Sequence, residues 1–151
     1  MKISIITVCL NSQNTLADTI NSVNSQTYKN IEHIFVDGGS KDETIKILRK
    51  NPNKKKRVFI KKNYGIYKSM NFGIKQASGE IIQILNSDDI YQSNDKLTEV
   101  VKSIKKYKNY GVYLGNVVFF KNNLFYKIKR YYKANIKKIE NLREGQMPPH
   151  P

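Results

Sequence analysis

The sequence lacks the features of a membrane-spanning protein and of a disulfide-bonded one. Its only cysteine is Cys9, so no disulfide can form within the chain. Its apolar runs, such as residues 5–10 and 117–120, are much shorter than the roughly 20 residues that a membrane-spanning helix needs. The apolar run after Met1-Lys2 is too short, and too soon followed by polar residues, for a signal peptide. We therefore expect a cytoplasmic protein.

Acidic residues are also scarce. Twelve Asp and Glu oppose 27 Lys and Arg, a net charge of +15, and residues 101–144 hold twelve basic residues against only Glu140 and Glu144. This excess favours an anionic partner, and we expect the C-terminal half to be able to contact the inner face of a membrane; coding bias toward Lys, Asn, Ile and Tyr is the alternative. The aromatic–basic motifs of the usual nucleic-acid modules are missing, so we expect no nucleic-acid partner.

Several motifs of nucleotide and metal chemistry are missing as well. No Gly-x-Gly-x-x-Gly follows the first apolar run, and no Gly-x-x-x-x-Gly-Lys occurs, which excludes the standard dinucleotide-binding and P-loop turns. No Cys/His cluster has the spacing of a zinc site, and no Ser-His-Asp set is identifiable. A nucleotide site in this chain must therefore be built in another way.

What the sequence does contain is an alternation of strand-like and helix-like segments. Four apolar runs rich in β-branched residues each precede a segment with apolar side chains at helical spacing: residues 3–10, 31–36, 57–61 and 80–85. This alternation predicts an α/β fold with a mainly parallel sheet flanked by helices. Residues 111–120 and 124–132 flank Asn122-Asn123 and predict a C-terminal β-hairpin. With 151 residues and no linker, we expect a single domain, residues 1–151.

Polar residues gather where three of the predicted strands end. Asn11 follows the first strand, Asp37-Gly38-Gly39-Ser40 the second, and Asn86-Ser87-Asp88-Asp89 the fourth. In an open parallel sheet, ligands bind outside the carboxyl ends of the strands, where the strand order reverses. The three clusters therefore predict a ligand site at that edge.

Asp88 and Asp89 are candidate ligands of a hard divalent cation, because Mg²⁺ and Mn²⁺ prefer oxygen ligands and are often held by carboxylates together with substrate phosphates. A cap for the following helix is the alternative. Asp37 either accepts hydrogen bonds from a ligand or closes an ordinary Asp-Gly turn. Four polar residues near the Gly65 turn are candidate contacts to phosphate or sugar hydroxyls, with a solvated surface as the alternative: Lys62, Asn63, Lys68 and Asn71.

A series of short motifs in the first 95 residues resembles glycosyltransferase family 2, which has the Rossmann-like GT-A fold. The motifs are Ile5-Ile6-Thr7-Val8 with Asn11, Gln26-Thr27-Tyr28, Val36-Asp37-Gly38-Gly39-Ser40, Gly65-Ile66-Tyr67, Met70-Asn71, Ala77-Ser78-Gly79-Glu80 and Leu85-Asn86-Ser87-Asp88-Asp89. The resemblance implies an enzyme that transfers a sugar from a nucleotide-diphosphate-sugar to a polysaccharide or lipid-linked acceptor. It also implies that residues 1–95 are the nucleotide-binding half and that residues 96–151 begin the acceptor half.

The resemblance further implies roles for individual residues. Asp37 would bind the base, taken as uracil, and Asp88 with Asp89 would hold Mg²⁺ or Mn²⁺ against the diphosphate. The implied nucleotide contacts are Thr7, Val8, Asn11, Asp37, Gly39, Ser40, Lys62, Asn63, Met70, Asn71, Asn86, Ser87 and Asp88. Gly38 and Asn86 depart from the family pattern, because many relatives have Asp at both positions.

The catalytic base is not among these residues. Relatives use an inverting displacement in which a carboxylate deprotonates the acceptor hydroxyl. That base normally falls beyond a segment resembling Pro148-Pro149-His150-Pro151, so we expect it to lie beyond Pro151 and the chain to be truncated. A donor-binding fragment without turnover is the alternative to an active enzyme, and a basic nucleic-acid-binding protein is a more distant one.

Overall fold

A parallel sheet of four strands is the centre of the structure, a computed structural model that describes residues 1–107, 111–121 and 127–133. The strands are β1 (Ile3–Cys9), β2 (Ile31–Asp37), β3 (Lys56–Ile60) and β4 (Ile81–Ile84), and the helices that follow them are α1 (Leu16–Asn24), α2 (Thr44–Lys50), α3 (Ile66–Gln76) and α4 (Lys96–Lys106). The predicted α/β class with a mainly parallel sheet flanked by helices is confirmed.

The strand order is β3-β2-β1-β4, so the chain builds outward from β1 on one side and then crosses to the other. β1 pairs in parallel with both β2 and β4. Every residue of β1 and β2 is buried, as expected for central strands that helices cover on both faces. The order reversal makes the carboxyl ends of β1 and β4 the topological switch point of the sheet.

Helices pack on both faces of this sheet through residues at helical spacing. On one face, Leu16 and Ile20 of α1 pack with Leu48 of α2, while Val23 packs with Leu97 and Val101 of α4. On the other face, α3 contributes a cluster with central strand residues, which comprises Met70, Phe72, Ile6, Val8, Ile34 and Val36. The core therefore lies in two layers, one on each side of the strands.

Two helix boundaries differ from the sequence prediction. The sequence predicts α1 directly after Asn11-Ser12, but α1 begins at Leu16 because residues 11–13 are hydrogen-bonded to the loop that follows β2. α2 is predicted from Asp42 but begins at Thr44, whose N–H donates to the Asp42 carboxylate at 3.0 Å. A contact between distant segments sets the first boundary, and a local cap sets the second.

The chain divides into two compact units, Met1–Lys106 and Tyr107–Pro151. The described part of the second unit contains β5 (Val117–Lys121) and β6 (Lys127–Tyr132), which pair antiparallel. The predicted hairpin is thus confirmed, although both strands begin later than predicted and the Asn122-Asn123 turn lies outside the described residues. The single domain and its halves stay predictions. No helix in the described part of the chain has the length and apolar character to cross a membrane.

Candidate functional site

Four loops leave the carboxyl edge of the sheet, and contacts among them build the candidate site. The first loop (residues 10–15) follows β1, the second loop (38–43) follows β2, the third loop (61–65) follows β3 and the fourth loop (85–95) follows β4. These loops carry the polar clusters that the sequence analysis placed at the strand ends.

Asp37 is fully buried, and its carboxylate holds the second loop through hydrogen bonds. Its Oδ1 accepts the backbone N–H groups of Gly39 and Ser40, both at 2.8 Å, and its Oδ2 accepts the Ser40 hydroxyl. Gly39 has φ +100°, a conformation that side-chain-bearing residues rarely adopt. Asp37 therefore closes the Asp-Gly turn. Contact between Asp37 and a nucleotide base stays a prediction.

Hydrogen bonds join the first loop to the second. The N–H of Asn11 donates to Ser40 Oγ at 2.8 Å, and the N–H of Lys41 donates to Asn11 Oδ1 at 2.9 Å. Asn11 makes these contacts at φ +52°, a left-handed conformation that asparagine tolerates well. Two further bonds link the same loops, namely Gln13 N to Asp42 Oδ2 and Glu43 N to Gln13 Oε1, and Ser12 N donates to Oγ1 of Thr44, the first residue of α2. The two loops are therefore held together as one polar surface.

The fourth loop presents the carboxylate pair, with Asp88 exposed and Asp89 half-buried. Burial, together with the neighbouring charge of Asp88, raises the pKa of Asp89 to about 6. In the described part of the chain, Oδ2 of Asp89 is buried without a hydrogen-bond partner. A buried carboxylate oxygen without a partner is destabilising unless a donor or cation satisfies it. The pair therefore fits a site for a hard cation.

The carboxylate pair does not cap α4, which was its alternative role. α4 begins only at Lys96, and the N–H of Leu97 donates to Oε1 of Gln26 at 3.1 Å. Gln26 is almost wholly buried, and its Nε2 donates to Ser93 O at 2.8 Å. One side chain from the end of α1 thus holds both the end of the fourth loop and the start of α4. The sequence analysis missed this role, because 71 residues separate the two partners in the chain.

Ser12 connects the first loop to the fourth loop across the switch point. Its Oγ lies 2.9 Å from Oγ of Ser87, which precedes the carboxylate pair. The sequence analysis assigned Ser87 to the nucleotide site but did not identify Ser12, since no local pattern marks a contact between residues 75 positions apart. Leu10, between β1 and Ser12, is 58% exposed and is the first residue after β1 to reach solvent.

The third loop lies against the second. The N–H of Lys61 donates to Asp37 O at 2.7 Å. The Lys62 side chain packs over Gly39, with its Cγ 3.0 Å from the position that a Cβ on Gly39 would occupy. Lys62 and Asn63 are exposed, as is Asn71 on α3. An exposed lysine beside a backbone-lined turn can attract a phosphate group to it.

Besides Asp37, two of the predicted nucleotide contacts, Thr7 and Val8, are buried, and a third, Met70, is half-buried. Thr7 is fully buried, and its hydroxyl is 2.9 Å from Nε2 of His33. Burial lowers the pKa of His33 to about 3, so the imidazole is neutral near pH 7. Val8 and Met70 pack within the core on the α3 side of the sheet. Contact between these three residues and a nucleotide stays a prediction.

The described residues contain no group of three or more His, Cys, Asp or Glu side chains that could hold a metal ion. Asp88 and Asp89 are thus a two-carboxylate set at the switch point. Mg²⁺ in particular is often bound by one or two carboxylates, with its remaining ligands supplied by substrate phosphates and water. A cation bound by these two carboxylates would keep coordination positions free for phosphate oxygens and water.

Comparison with protein families and curated proteins gives consistent matches. The sequence profile described as Glycosyl transferase family 2 matches residues 4–149. An uncharacterized glycosyltransferase of Rickettsia conorii is 41% identical over 109 residues, which are 71% of this chain and 18% of the relative. A poly-beta-1,6-N-acetyl-D-glucosamine synthase of Staphylococcus epidermidis is 34% identical over 116 residues, which are 76% of this chain and 28% of the synthase. The chain therefore spans less than a third of either relative.

Solved structures show the same GT-A-like fold. TarS of S. aureus (residues 1–349), in complex with UDP-GlcNAc, matches with a TM-score of 0.67 and 29% identity over 72% of this chain and 32% of that chain. The mannosyltransferase PcManGT of Pyrobaculum calidifontis, in complex with GDP-Man and Mn²⁺, matches with a TM-score of 0.64 and 22% identity over 68% of this chain and 32% of that chain. Sequence and fold agree: the chain belongs to glycosyl transferase family 2.

Proposed function

We propose that this chain binds a UDP-sugar together with a divalent cation, as the donor-binding part of an inverting glycosyltransferase. The full reaction would transfer the sugar to a polysaccharide or lipid-linked acceptor. The observation that carries the proposal is the position of Asp88 and Asp89 at the switch point, next to the hydrogen-bonded surface of the first and second loops. That position is where open parallel sheets bind nucleotides.

The choice of donor is supported by the relatives. TarS, which is 29% identical in the matched region, has been solved with UDP and with UDP-GlcNAc. The S. epidermidis relative is named as a poly-N-acetyl-D-glucosamine synthase. UDP-GlcNAc is therefore the first donor to test on this chain.

Mg²⁺ or Mn²⁺ fits the carboxylate pair, because Asp89 has a buried oxygen without a partner among the described residues and Asp88 is exposed beside it. When bound, such an ion would offset the negative charge of the departing diphosphate. The chain's own groups would hold and orient the donor. Asn11, Ser40 and Lys62 are the exposed or half-buried side chains placed to contact it, and Thr7, Val8 and Met70 would support them.

Isothermal titration calorimetry of this chain with UDP and UDP-GlcNAc, with and without Mn²⁺, tests the proposal. We expect Mn²⁺ to tighten donor binding. Asp88→Asn should weaken donor binding in the presence of Mn²⁺ by about tenfold or more, the scale on which metal sites respond to altered ligands. Asp18→Asn is the matched control, because Asp18 is an exposed carboxylate on α1, outside the four loops. If neither donor binds more tightly with Mn²⁺, the metal–donor assignment is wrong.

Acceptor and membrane contacts belong to the same proposal. No acidic residue occurs between Glu99 and Glu140, whereas Lys and Arg recur throughout this stretch. Such a stretch would be attracted to the anionic lipids of the cytoplasmic leaflet, where a lipid-linked acceptor would be available. Co-sedimentation with phosphatidylglycerol vesicles, but not with phosphatidylcholine vesicles, is the expected result.

Donor hydrolysis or transfer by the chain would distinguish an enzyme from a donor-binding fragment.

A further inference from the structure

Ser12 occupies a special place in the site, since it belongs to the first loop but reaches the fourth. Its backbone N–H donates to Thr44 Oγ1 at 2.8 Å, which ties it to the start of α2. Its hydroxyl accepts the N–H of Leu10 at 3.3 Å and lies 2.9 Å from the Ser87 hydroxyl. The position of Ser12 is therefore set by Leu10 and Thr44 as well as by Ser87.

The Ser12–Ser87 contact crosses the switch point at the level of the site. Ser87 immediately precedes Asp88 and Asp89, so a hydrogen bond at Ser87 restrains the backbone that carries both carboxylates. The other end of the fourth loop is held by Gln26 through Ser93. Both carboxylates lie in the chain between these two anchors, Ser87 and Ser93.

We propose that Ser12 is a positioning residue that sets the carboxylate pair of the fourth loop against the polar surface of the first and second loops. The inference rests on the proposed function, because it concerns how metal and donor are held together. Ser12 contacts neither ligand in this scheme; it acts through Ser87. Its removal should therefore weaken metal-dependent donor binding more than metal-independent nucleotide binding.

The argument for a positioning role comes from the geometry of the two serines. Both are half-buried, so their hydrogen bond competes less with water than an exposed contact would. A single hydrogen bond of this kind contributes a modest net free energy. It nevertheless links two loops beyond the point where β1 and β4 pair, and each loop has a different second anchor: the second loop for the first, and Gln26 for the fourth.

The test is calorimetry of UDP binding to the full chain, with and without Mn²⁺, for the wild type and for Ser12→Ala. We expect Ser12→Ala to weaken Mn²⁺-dependent UDP binding about 3- to 10-fold, the effect of one net hydrogen bond, and to change metal-free UDP binding less than about twofold. Ser12→Thr, which keeps the hydroxyl, should restore most of the loss. Ser25→Ala is the control, because the Ser25 hydroxyl donates to Ser22 O at the end of α1 and makes no other bond among the described residues.

A double-mutant cycle with Ser87→Ala separates positioning from general destabilisation. If Ser12 acts through Ser87, the double variant should bind UDP with Mn²⁺ about as well as Ser87→Ala alone. Additive losses, or an equal loss of metal-free binding, would overturn the inference. Wild-type affinity in Ser12→Ala would overturn it while leaving the proposed function standing. A wild-type chain that gains nothing from Mn²⁺ would overturn both.

Discussion

At the scale of single residues, the second loop depends on the backbone freedom of Gly39. Its φ of +100° is strained for any L side chain, and a Cβ there would lie 3.0 Å from Cγ of Lys62. We expect Gly39→Ala to lower the free energy of unfolding by about 1–2 kcal/mol, because the alanine must adopt a sparsely populated conformation. UDP binding should weaken as well, because the turn carries Ser40 and faces Lys62.

Urea unfolding of the chain measures the first effect of Gly39→Ala and calorimetry the second. Gly65→Ala is a matched control: Gly65 has φ −69°, and nothing lies within 4 Å of its would-be Cβ. The control should change the free energy of unfolding by less than about 1 kcal/mol, because Gly65 caps α3 without a side-chain hydrogen bond that alanine could remove. Equal losses in the two variants would contradict a special role for Gly39.

The candidate site was predictable at the residue scale only where the signal is local. Asn11, Ser40, Asp88 and Asp89 follow apolar strands directly, so their place at the sheet edge could be read from the sequence. The burial of Thr7 could not, because it depends on helices that cover both faces of β1. The contact that Ser12 makes with Ser87 depends on strand order, which no local pattern encodes.

At the scale of elements, α3 lies unusually close to the sheet. A Cβ at Gly73 would lie 2.5 Å from Cγ2 of Ile6, a fully buried residue of β1. Alanine gains about 1 kcal/mol over glycine in helix propensity. Overpacking of a well-filled core costs about 1–3 kcal/mol. Because Ile6 is fully buried in a central strand, we expect the packing cost to prevail.

Gly73→Ala should therefore lower the free energy of unfolding by about 1 kcal/mol, the packing cost less the propensity gain. Urea unfolding followed by circular dichroism measures the change. Lys75→Ala, at an exposed position of the same helix, is the control and should alter the free energy of unfolding by less than about 0.5 kcal/mol. If Gly73→Ala proves more stable than the wild type, helix propensity outweighs packing at this position and the expectation is wrong.

The order of strands and helices was predictable because each apolar run ends in Asn, Gly or Asp, and because helical spacing follows it. The helix boundaries were less predictable from the sequence. α1 begins at Leu16, several residues after the capping signal at Asn11-Ser12, since those residues are committed to the second loop. Local propensity decides that a helix forms there, but contacts between loops decide where it begins.

At the scale of the whole molecule, a buried carboxylate joins three segments at the amino edge of the sheet. Glu32 of β2 is 4% exposed. Its Oε1 accepts the Ser4 hydroxyl of β1 at 2.6 Å and the N–H of Ser78, before β4, at 2.7 Å, while Lys2 Nζ lies 3.2 Å from Oε2. Burial favours the protonated form, but the bonds from Ser4, Ser78 and Lys2 outweigh it and lower the pKa of Glu32 to about 2.

This network predicts how the stability of the fold depends on pH. The folded pKa of Glu32 lies below its ordinary value of 4.5, so the ionised group stabilises the fold above about pH 4.5, and this contribution is lost as the pH falls toward 2. The difference between the two values corresponds to about 3 kcal/mol. Glu32→Gln should therefore be less stable than the wild type by about that amount at pH 7, with a smaller deficit at pH 3.

Urea unfolding of wild type and Glu32→Gln at pH 7, 5, 4 and 3 measures this convergence. Glu43→Gln is the control, because the Glu43 carboxylate is exposed and pairs only with Lys46 at the surface in the described part of the chain. Exposed pairs of this kind contribute about 0–1 kcal/mol, so the control should follow the wild type at every pH. A deficit for Glu32→Gln that is as large at pH 3 as at pH 7 would mean that the glutamine disrupts packing and that ionised Glu32 does not hold the three segments together.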